Sequence, residues 1–183
     1  MKGYHYIKRG IDIILSGMAI VILSPLLLFL CIAIKLDTPG PILFKQKRVG
    51  IHRSFFQIYK FRTMRIDTPK DVPTHMLENP EQYITKVGKF LRKTSLDELP
   101  QIFNIFKGEM SIVGPRPALW NQDDLVAERE KYGANDVTPG LTGWAQINGR
   151  DELEIPDKAR LDGEYVKHLG PVSYTHLTLP TKA

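Results

Sequence analysis

The stretch Leu91-Arg-Lys-Thr-Ser-Leu-Asp-Glu-Leu-Pro-Gln-Ile-Phe-Asn104 sets two adjacent carboxylates, Asp97 and Glu98, at the start of an amphipathic segment. Leu96, Leu99, Ile102, Phe103 and Phe106 recur at helical spacing. Asp97, Gln101 and Asn104 follow i, i+4, i+7 on another face. Pro100 lacks an N–H and is accommodated only in a first helical turn, which predicts a helix start near Asp97. A carboxylate there faces unpaired backbone N–H groups and the positive end of the helix dipole. Ser95-x-x-Glu98 also matches a capping box, but that frame puts Pro100 at the fifth helical position, where it is poorly tolerated. Taken alone, the spacing is satisfied by simple capping. The cations Arg92 and Lys93, just upstream, supply the second reading: an acidic pair with an anion site beside it.

The surrounding chain decides between them. Its 183 residues suffice for one domain with a sizeable core, and 43% hydrophobic with 25% charged residues is ordinary for a globular protein. The single cysteine, Cys31, excludes an intramolecular disulfide. Histidines 5, 52, 75, 168 and 176 show no metal-ligand spacing. A net charge of +5 suits an anionic partner: phosphate substrate, nucleic acid or acidic headgroups.

Ile13 to Ile34 is a run of 22 residues without a charge. As a straight helix it would reach roughly 33 Å, enough for a hydrocarbon core of about 30 Å. Lys2, Lys8 and Arg9 resemble the basic start of a signal peptide, but the run is long for one and no A-x-A-like cleavage site follows. Ser24-Pro25 falls in its middle. Proline removes the hydrogen bond to the Val21 carbonyl, and the Ser24 hydroxyl can satisfy a freed group nearby. With Lys8 and Arg9 before the run and Lys35 after it, both ends suit the cytoplasmic side. Two forms satisfy these features: a helix that enters, breaks and leaves by the same face, and a proline-kinked spanning helix.

Thr38-Pro-Gly-Pro41 closes this element. From there to Ile66 the chain carries Lys45, Lys47, Arg48, Arg53, Lys60, Arg62 and Arg65 and no acidic residue. Two β-prone runs, Ile42–Val49 and Phe55–Met64, flank Gly50-Ile-His-Arg and predict a hairpin. One or two of its cations are expected in a phosphate site, the rest against anionic headgroups. Asp67 to Pro80 reads as a surface loop, and Tyr83 to Lys93 as a short helix delivering Arg92 to the carboxylates. Downstream, Arg116 stands between two prolines in Gly108-Glu-Met-Ser-Ile-Val-Gly-Pro-Arg-Pro117, which lowers the entropy lost in positioning a guanidinium fork. Residues 118 to 136 read as partly helical. Pro139-Gly-Leu-Thr-Gly-Trp-Ala-Gln-Ile-Asn-Gly-Arg150 offers glycines for close approach to a ligand, an exposed-looking Trp144 and a further arginine, Arg150. Both stretches read generically as turn-rich loops; neither is a Walker A or G-x-G-x-x-G sequence. An anchor, an acidic pair and separated arginines together suit phosphoryl chemistry at a membrane face.

Lys60-Phe-Arg-Thr-Met64, Arg92 to Gln101, Gly108 to Pro117 and Pro139 to Arg150, in that order, resemble the motifs of the bacterial sugar transferase family, and more closely its small monotopic polyprenyl-phosphate phosphoglycosyl transferases of the PglC type. The likeness runs from about Tyr6 to Val166. It implies an α/β enzyme with a re-entrant, Ser-Pro-broken membrane helix over residues 1–37 and a phosphoglycosyl transferase domain over 38–170, made of the basic hairpin and a small helical catalytic part. It implies Asp97 as nucleophile on the β-phosphate of a UDP-sugar, with UMP expelled, and Glu98 completing the pair, Mg2+ being bound by Asp97 and Glu98. Lys60, Arg92, Arg116 and Arg150 would bind phosphate and nucleotide. The phosphosugar would pass to polyprenyl phosphate at the cytoplasmic face of the bacterial plasma membrane, opening glycan assembly continued by downstream glycosyltransferases. An N-acetylated or diacetamido sugar is the slight favourite. Two departures stand out: Glu109 replaces the usual Asp, and residues 171–183 lack the family's further apolar segment and read as an atypical, non-native tail. A hydrolase using the same aspartyl intermediate, and a non-catalytic scaffold binding nucleotide sugars, are the rival readings. A nucleic-acid role rests on the hairpin alone, and the membrane helix argues against it.

Overall fold

The computed structural model describes residues 2–68, 79–149 and 152–170. Most of the predicted loop before Pro80, together with Arg150 and the tail 171–183, lies outside them. The architecture is helical with two small sheets. Helix α1 (Lys2–Asp37) runs through Pro25. The Ser24 hydroxyl donates to the Val21 carbonyl at 2.8 Å, the acceptor that proline leaves unserved. It is one helix long and apolar enough to cross a membrane. Leu27, Leu30 and Ile34 line one side of it and pack with Phe61, Leu91 and Ile102. Ile14, Val21, Ile22 and Phe29 stand exposed on the rest of its surface.

Strands β1 (Leu43–Val49) and β2 (Phe55–Phe61) pair antiparallel, from Leu43↔Phe61 to Val49↔Phe55. β2 stops three residues short of the predicted Met64, because Met64 leaves β1 and bridges to Ile84. Helix α2 (Lys86–Thr94) starts three residues later than expected, where the Thr85 hydroxyl accepts from Gly88 N–H as N-cap. A Cβ on Gly88 would collide with the Thr63 carbonyl, so its absence lets α2 lie directly on the chain after β2.

The helix expected from Asp97 is displaced. Ser95 adopts a left-handed conformation (φ 56°), Leu96–Glu98 forms a 3-10 turn, and helix α3 spans Gln101–Lys107 with Pro100 as its N-cap. The bonds Glu98 N–H to Ser95, Leu99 N–H to Leu96 and Phe103 N–H to Pro100 keep the tighter i to i+3 pattern through the proline. The inward face also differs from expectation. Phe103 and Phe106 are exposed, while Gln101 and Asn104 are fully buried. The Asn104 side chain accepts from Tyr59 N–H (3.0 Å) and donates to the Gln57 carbonyl (2.7 Å), which fastens α3 to β2. Its Nδ2 also donates to Glu109, the residue that departs from the family pattern, at 2.7 Å. Gly108 (φ +91°) ends the helix.

The two glycine–proline stretches are not free loops. They carry strands β3 (Ser111–Val113) and β4 (Gly140–Thr142), which pair parallel. Helices α4 (Asp123–Glu130), α5 (Trp144–Ile147) and α6 (Ile155–Lys167) complete the fold. Side chains on Gly114, Gly140 or Gly143 would collide with the backbone of the facing stretch. These glycines serve backbone-to-backbone packing where a ligand was expected. Trp144, expected at the surface, packs with Val113, Val137 and Tyr165. α4 and α6 are joined by a buried ion pair, Arg129–Asp162, at 2.6 Å.

Lys8 and Arg9, in the first turns of α1, are occupied by protein. Arg9 donates to the carbonyls of Ile105 (2.6 Å) and Phe106 (2.7 Å), capping the end of α3. Lys8 is buried with Asp12 and donates to the Ser111 hydroxyl. At the other end Arg62 caps α1 itself, donating to the Thr38 (2.7 Å) and Pro39 (2.6 Å) carbonyls. Asp37 accepts from Val87 N–H in the first turn of α2 at 3.0 Å.

Candidate active site

The acidic pair sits on the 3-10 turn between α2 and α3. Glu98 is held by two cations: Lys60 Nζ lies 2.8 Å and Arg116 Nη2 3.1 Å from its Oε1. Lys60 comes from β2 and Arg116 from the segment just after β3, so two distant elements converge on one oxygen. Burial alone would raise the Glu98 pKa; Lys60 and Arg116 outweigh it and bring it down to about 2. Glu98 is therefore a fixed anion at neutral pH and does not exchange protons there.

Asp97 differs in kind. It makes no ion pair among the described residues, and burial pushes its pKa above the usual carboxylate value. The field of Lys60 opposes that rise, Glu98 adds to it, and a backbone hydrogen bond and then Arg92 oppose it. Arg92 reaches the pair through space: its Nε donates to the Thr63 hydroxyl at 2.9 Å, and burial lowers its pKa while Asp97 supports its charge. Adjacent carboxylates thus have unequal roles. One is clamped; the other is desolvated, without an ion pair among the described residues, and lies between the opposing fields of Lys60 and Glu98.

Of the residues singled out from the sequence, Asp97, Glu98, Lys60, Arg92 and Arg116 come together, and Arg150 lies outside the described residues. One was missed. Arg48 lies on the same face of the two-stranded sheet as Lys60, donates to the Pro117 carbonyl at 3.0 Å and to Gln46 at 2.7 Å, and feels both Arg116 and Glu98. Burial first, and then repulsion by Arg116, lowers its pKa to about 10. Only the strand register, with Phe44 opposite Lys60 and Arg48 opposite Phe56, puts it on the face of Lys60. By contrast Arg62, on that same face, serves the α1 cap, Arg65 pairs with Asp67 at 2.7 Å and Arg53 with Glu130 at 3.1 Å.

Among the described residues no cluster of three or more metal-ligating side chains exists. A Mg2+ ion commonly uses only one or two carboxylates, completed by water and substrate phosphates. The oxygen-only pair Asp97 and Glu98 fits that donor requirement, and both cations on Glu98 use Oε1.

Comparison with known proteins adds the following. The family described as bacterial sugar transferase matches residues 3–182. The chain is 41% identical over 174 residues to the UDP-glucose:undecaprenyl-phosphate glucose-1-phosphate transferase of Escherichia coli (strain K12), covering 88% of this chain and 36% of that protein. It is 42% identical over 147 residues to an Aeromonas hydrophila UDP-N-acetylgalactosamine-undecaprenyl-phosphate N-acetylgalactosaminephosphotransferase, covering 79% and 34% respectively. With the sugar transferase EpsL of Bacillus subtilis (strain 168) identity is 40% over 160 residues, covering 87% of this chain and 77% of that one. The chain thus spans about a third of the first two relatives and about three quarters of the last.

Proposed function

Since the chain belongs to the bacterial sugar transferase family, we propose that it moves a sugar-1-phosphate from a UDP-sugar to polyprenyl phosphate through an aspartyl-phosphosugar intermediate. The observation that carries this reading is the asymmetry of the acidic pair: Glu98 held at a pKa of about 2 by Lys60 and Arg116, and Asp97 desolvated with no ion pair among the described residues. A nucleophilic carboxylate must keep an oxygen available, and desolvation raises its reactivity.

In the first step an Asp97 carboxylate oxygen attacks the β-phosphorus. The Oδ–P bond forms, the bond from that phosphorus to the bridging oxygen breaks, and UMP leaves with the electron pair. In the second step a phosphate oxygen of the polyprenol attacks the same phosphorus, and the Asp97–phosphorus bond breaks to restore the carboxylate. Lys60, Arg48, Arg92 and Arg116 present a positive surface to the diphosphate and to charge developing on the transferring group. Arg150 is proposed for the nucleotide from its motif alone. Glu98, being ionised throughout, orients Lys60 and Arg116. Mg2+ held by Asp97 and Glu98 would supply Lewis-acid stabilisation of the phosphoryl oxygens.

The same reading places α1 as a re-entrant element on the cytoplasmic leaflet. A straight helix of this length would extend about 54 Å. Yet residues 8–12 near its start and 27–34 near its end both contact the remainder of the chain. A helix crossing the bilayer would carry one of those regions away from the domain. The relatives' names include glucose and N-acetylgalactosamine donors, so the proposal stops at a UDP-sugar.

The test is UMP release from a panel of UDP-sugars with polyprenyl phosphate and Mg2+. Asp97→Asn is expected to lower turnover by at least about a thousandfold and to abolish a covalent adduct seen by intact mass. Turnover that survives the substitution refutes Asp97 as nucleophile. Free sugar phosphate in place of glycolipid would favour the hydrolase.

A further inference from the structure

Three of the four residues at the end of β2 and just beyond it each hold a different element. Lys60 bonds to Glu98, Arg62 caps the end of α1, and Thr63 receives Arg92. Thr63 grips α2 twice. Its carbonyl accepts from the N–H of Thr85, the N-cap of that helix, at 3.0 Å, and leaves no room for a Cβ on Gly88. Its hydroxyl accepts from Arg92 Nε at 2.9 Å. Gly88 and Arg92 stand four residues apart inside α2 and so share one face of it. The close backbone approach at Gly88 thus brings the Thr63 hydroxyl to the guanidinium one turn later.

Thr63 is 7% exposed, whereas Arg92 keeps part of its surface in solvent. Water could therefore serve a freely rotating guanidinium at Arg92. What the hydroxyl adds is a fixed orientation, which spares the rotamer entropy a long cation otherwise loses when it binds a ligand. Among the described residues this is the one hydrogen bond of the Arg92 side chain, so its Nη groups are uncommitted. An arginine held by its Nε edge with the rest of its fork open is suited to bidentate capture of phosphate oxygens. We infer that Thr63 is a positioning residue for the transfer: by holding Arg92 at Nε it presents the Nη groups to the phosphate oxygens of the diphosphate donor, an assignment that rests on the transferase reading above. Thr63 itself touches neither substrate nor Asp97. Its effect passes through Arg92 alone.

The experiment uses the full chain in bilayer discs and measures steady-state UMP release from UDP-sugars with polyprenyl phosphate and Mg2+, together with melting temperature. Thr63→Val removes the acceptor oxygen, and its kcat/KM for the UDP-sugar is expected to fall roughly ten- to a hundredfold. Thr63→Ser keeps the hydroxyl and is expected to stay within about threefold of wild type. Arg92→Lys keeps the charge and loses the fork; in that background Thr63→Val is expected to cost less than about threefold further. A folded Thr63→Val with wild-type kcat/KM overturns the positioning role. So does a loss that repeats at full size in the Arg92→Lys background, which assigns Thr63 to packing. Both of those results leave the transferase reading standing. Should Thr63→Val not fold, Thr63→Ala, which also lacks the hydroxyl, carries the same comparison. A folded wild-type chain that releases no UMP from any donor overturns the transferase reading and the assignment with it.

Discussion

Lys60→Met removes the one ammonium that acts on both carboxylates. Lys60 sits 2.8 Å from Glu98, with the two side chains 18% and 22% exposed, so solvent screens the pair only partly. The Glu98 pKa falls from 4.5 to about 2 although burial pushes it up. At about 1.4 kcal/mol per pH unit that displacement corresponds to roughly 3 kcal/mol, shared between Lys60 and Arg116. If Lys60 carries about half, its loss raises Glu98 by about one pH unit. Asp97, already raised, loses its strongest opposing charge and rises too. Because both shifts have the same sign and the proposed nucleophile must be ionised, the acidic limb of kcat/KM for UMP release should move to higher pH. Lys60→Arg should keep it near the wild-type position.

Stability follows from the same displacement. Glu98 has a folded pKa below its unfolded value, so its contribution is fully present above 4.5 and is lost as the pH falls towards 2. Lys60→Met should therefore be less stable than wild type by about 1–2 kcal/mol at pH 7, and the gap should close near pH 2. Urea denaturation at the two pH values measures it. An acidic limb that stays in place, or a gap that persists unchanged at low pH, refutes the reasoning and assigns the loss to packing.

Arg129→Met should be the more damaging change for folding, because it strands Asp162 in the α4–α6 interface, where burial already raises that carboxyl against the pull of Arg129. A loss of about 3–5 kcal/mol is expected in denaturant melts, with most of it recovered by adding Asp162→Leu. Arg9→Met should leave partitioning into anionic vesicles close to wild type, since this guanidinium is spent on the Ile105 and Phe106 carbonyls, and should lower stability by about 1–2 kcal/mol. A strong drop in vesicle binding without destabilisation would refute this assignment of Arg9 to the α3 carbonyls.

What could be read from the sequence was local. The acidic pair, its upstream arginine and the Arg116 between prolines all lie in short stretches whose residue types carry the chemistry, and Lys60 was reached through the motif around it. What escaped depended on contacts between distant segments. Lys8 and Arg9 look like ordinary flanks of an apolar run; their partners, Ser111 and Ile105, lie about a hundred residues away. The glycines at 114, 140 and 143 look like ligand-facing loop residues until β3 is seen beside β4. Arg48 could not be told from Lys45 or Lys47 without the strand register. The helix start was misplaced by about one turn because Pro100 was read as belonging to the first turn of an α-helix, whereas the chain passes it in a 3-10 geometry set by the left-handed Ser95.

These long-range contacts also explain why the long apolar helix α1 belongs to the same folding unit as the acidic pair. The pair lies on the turn joining α2 to α3. The start of α2 is held by Asp37, at the end of α1, and the end of α3 is held by Arg9, near the beginning of α1. Between these two points Leu27, Leu30 and Ile34 of α1 share one apolar cluster with Leu91 of α2 and Ile102 of α3. Tilting α1 relative to the domain would break helix-terminal hydrogen bonds on both sides of Asp97 at once. The position of α1 therefore fixes the position of the carboxylate. In the proposed mechanism a UDP-sugar and a polyprenyl phosphate react in turn at one phosphorus carried by Asp97, and that rigidity would set the height of the carboxylate relative to the bilayer without help from a flexible loop.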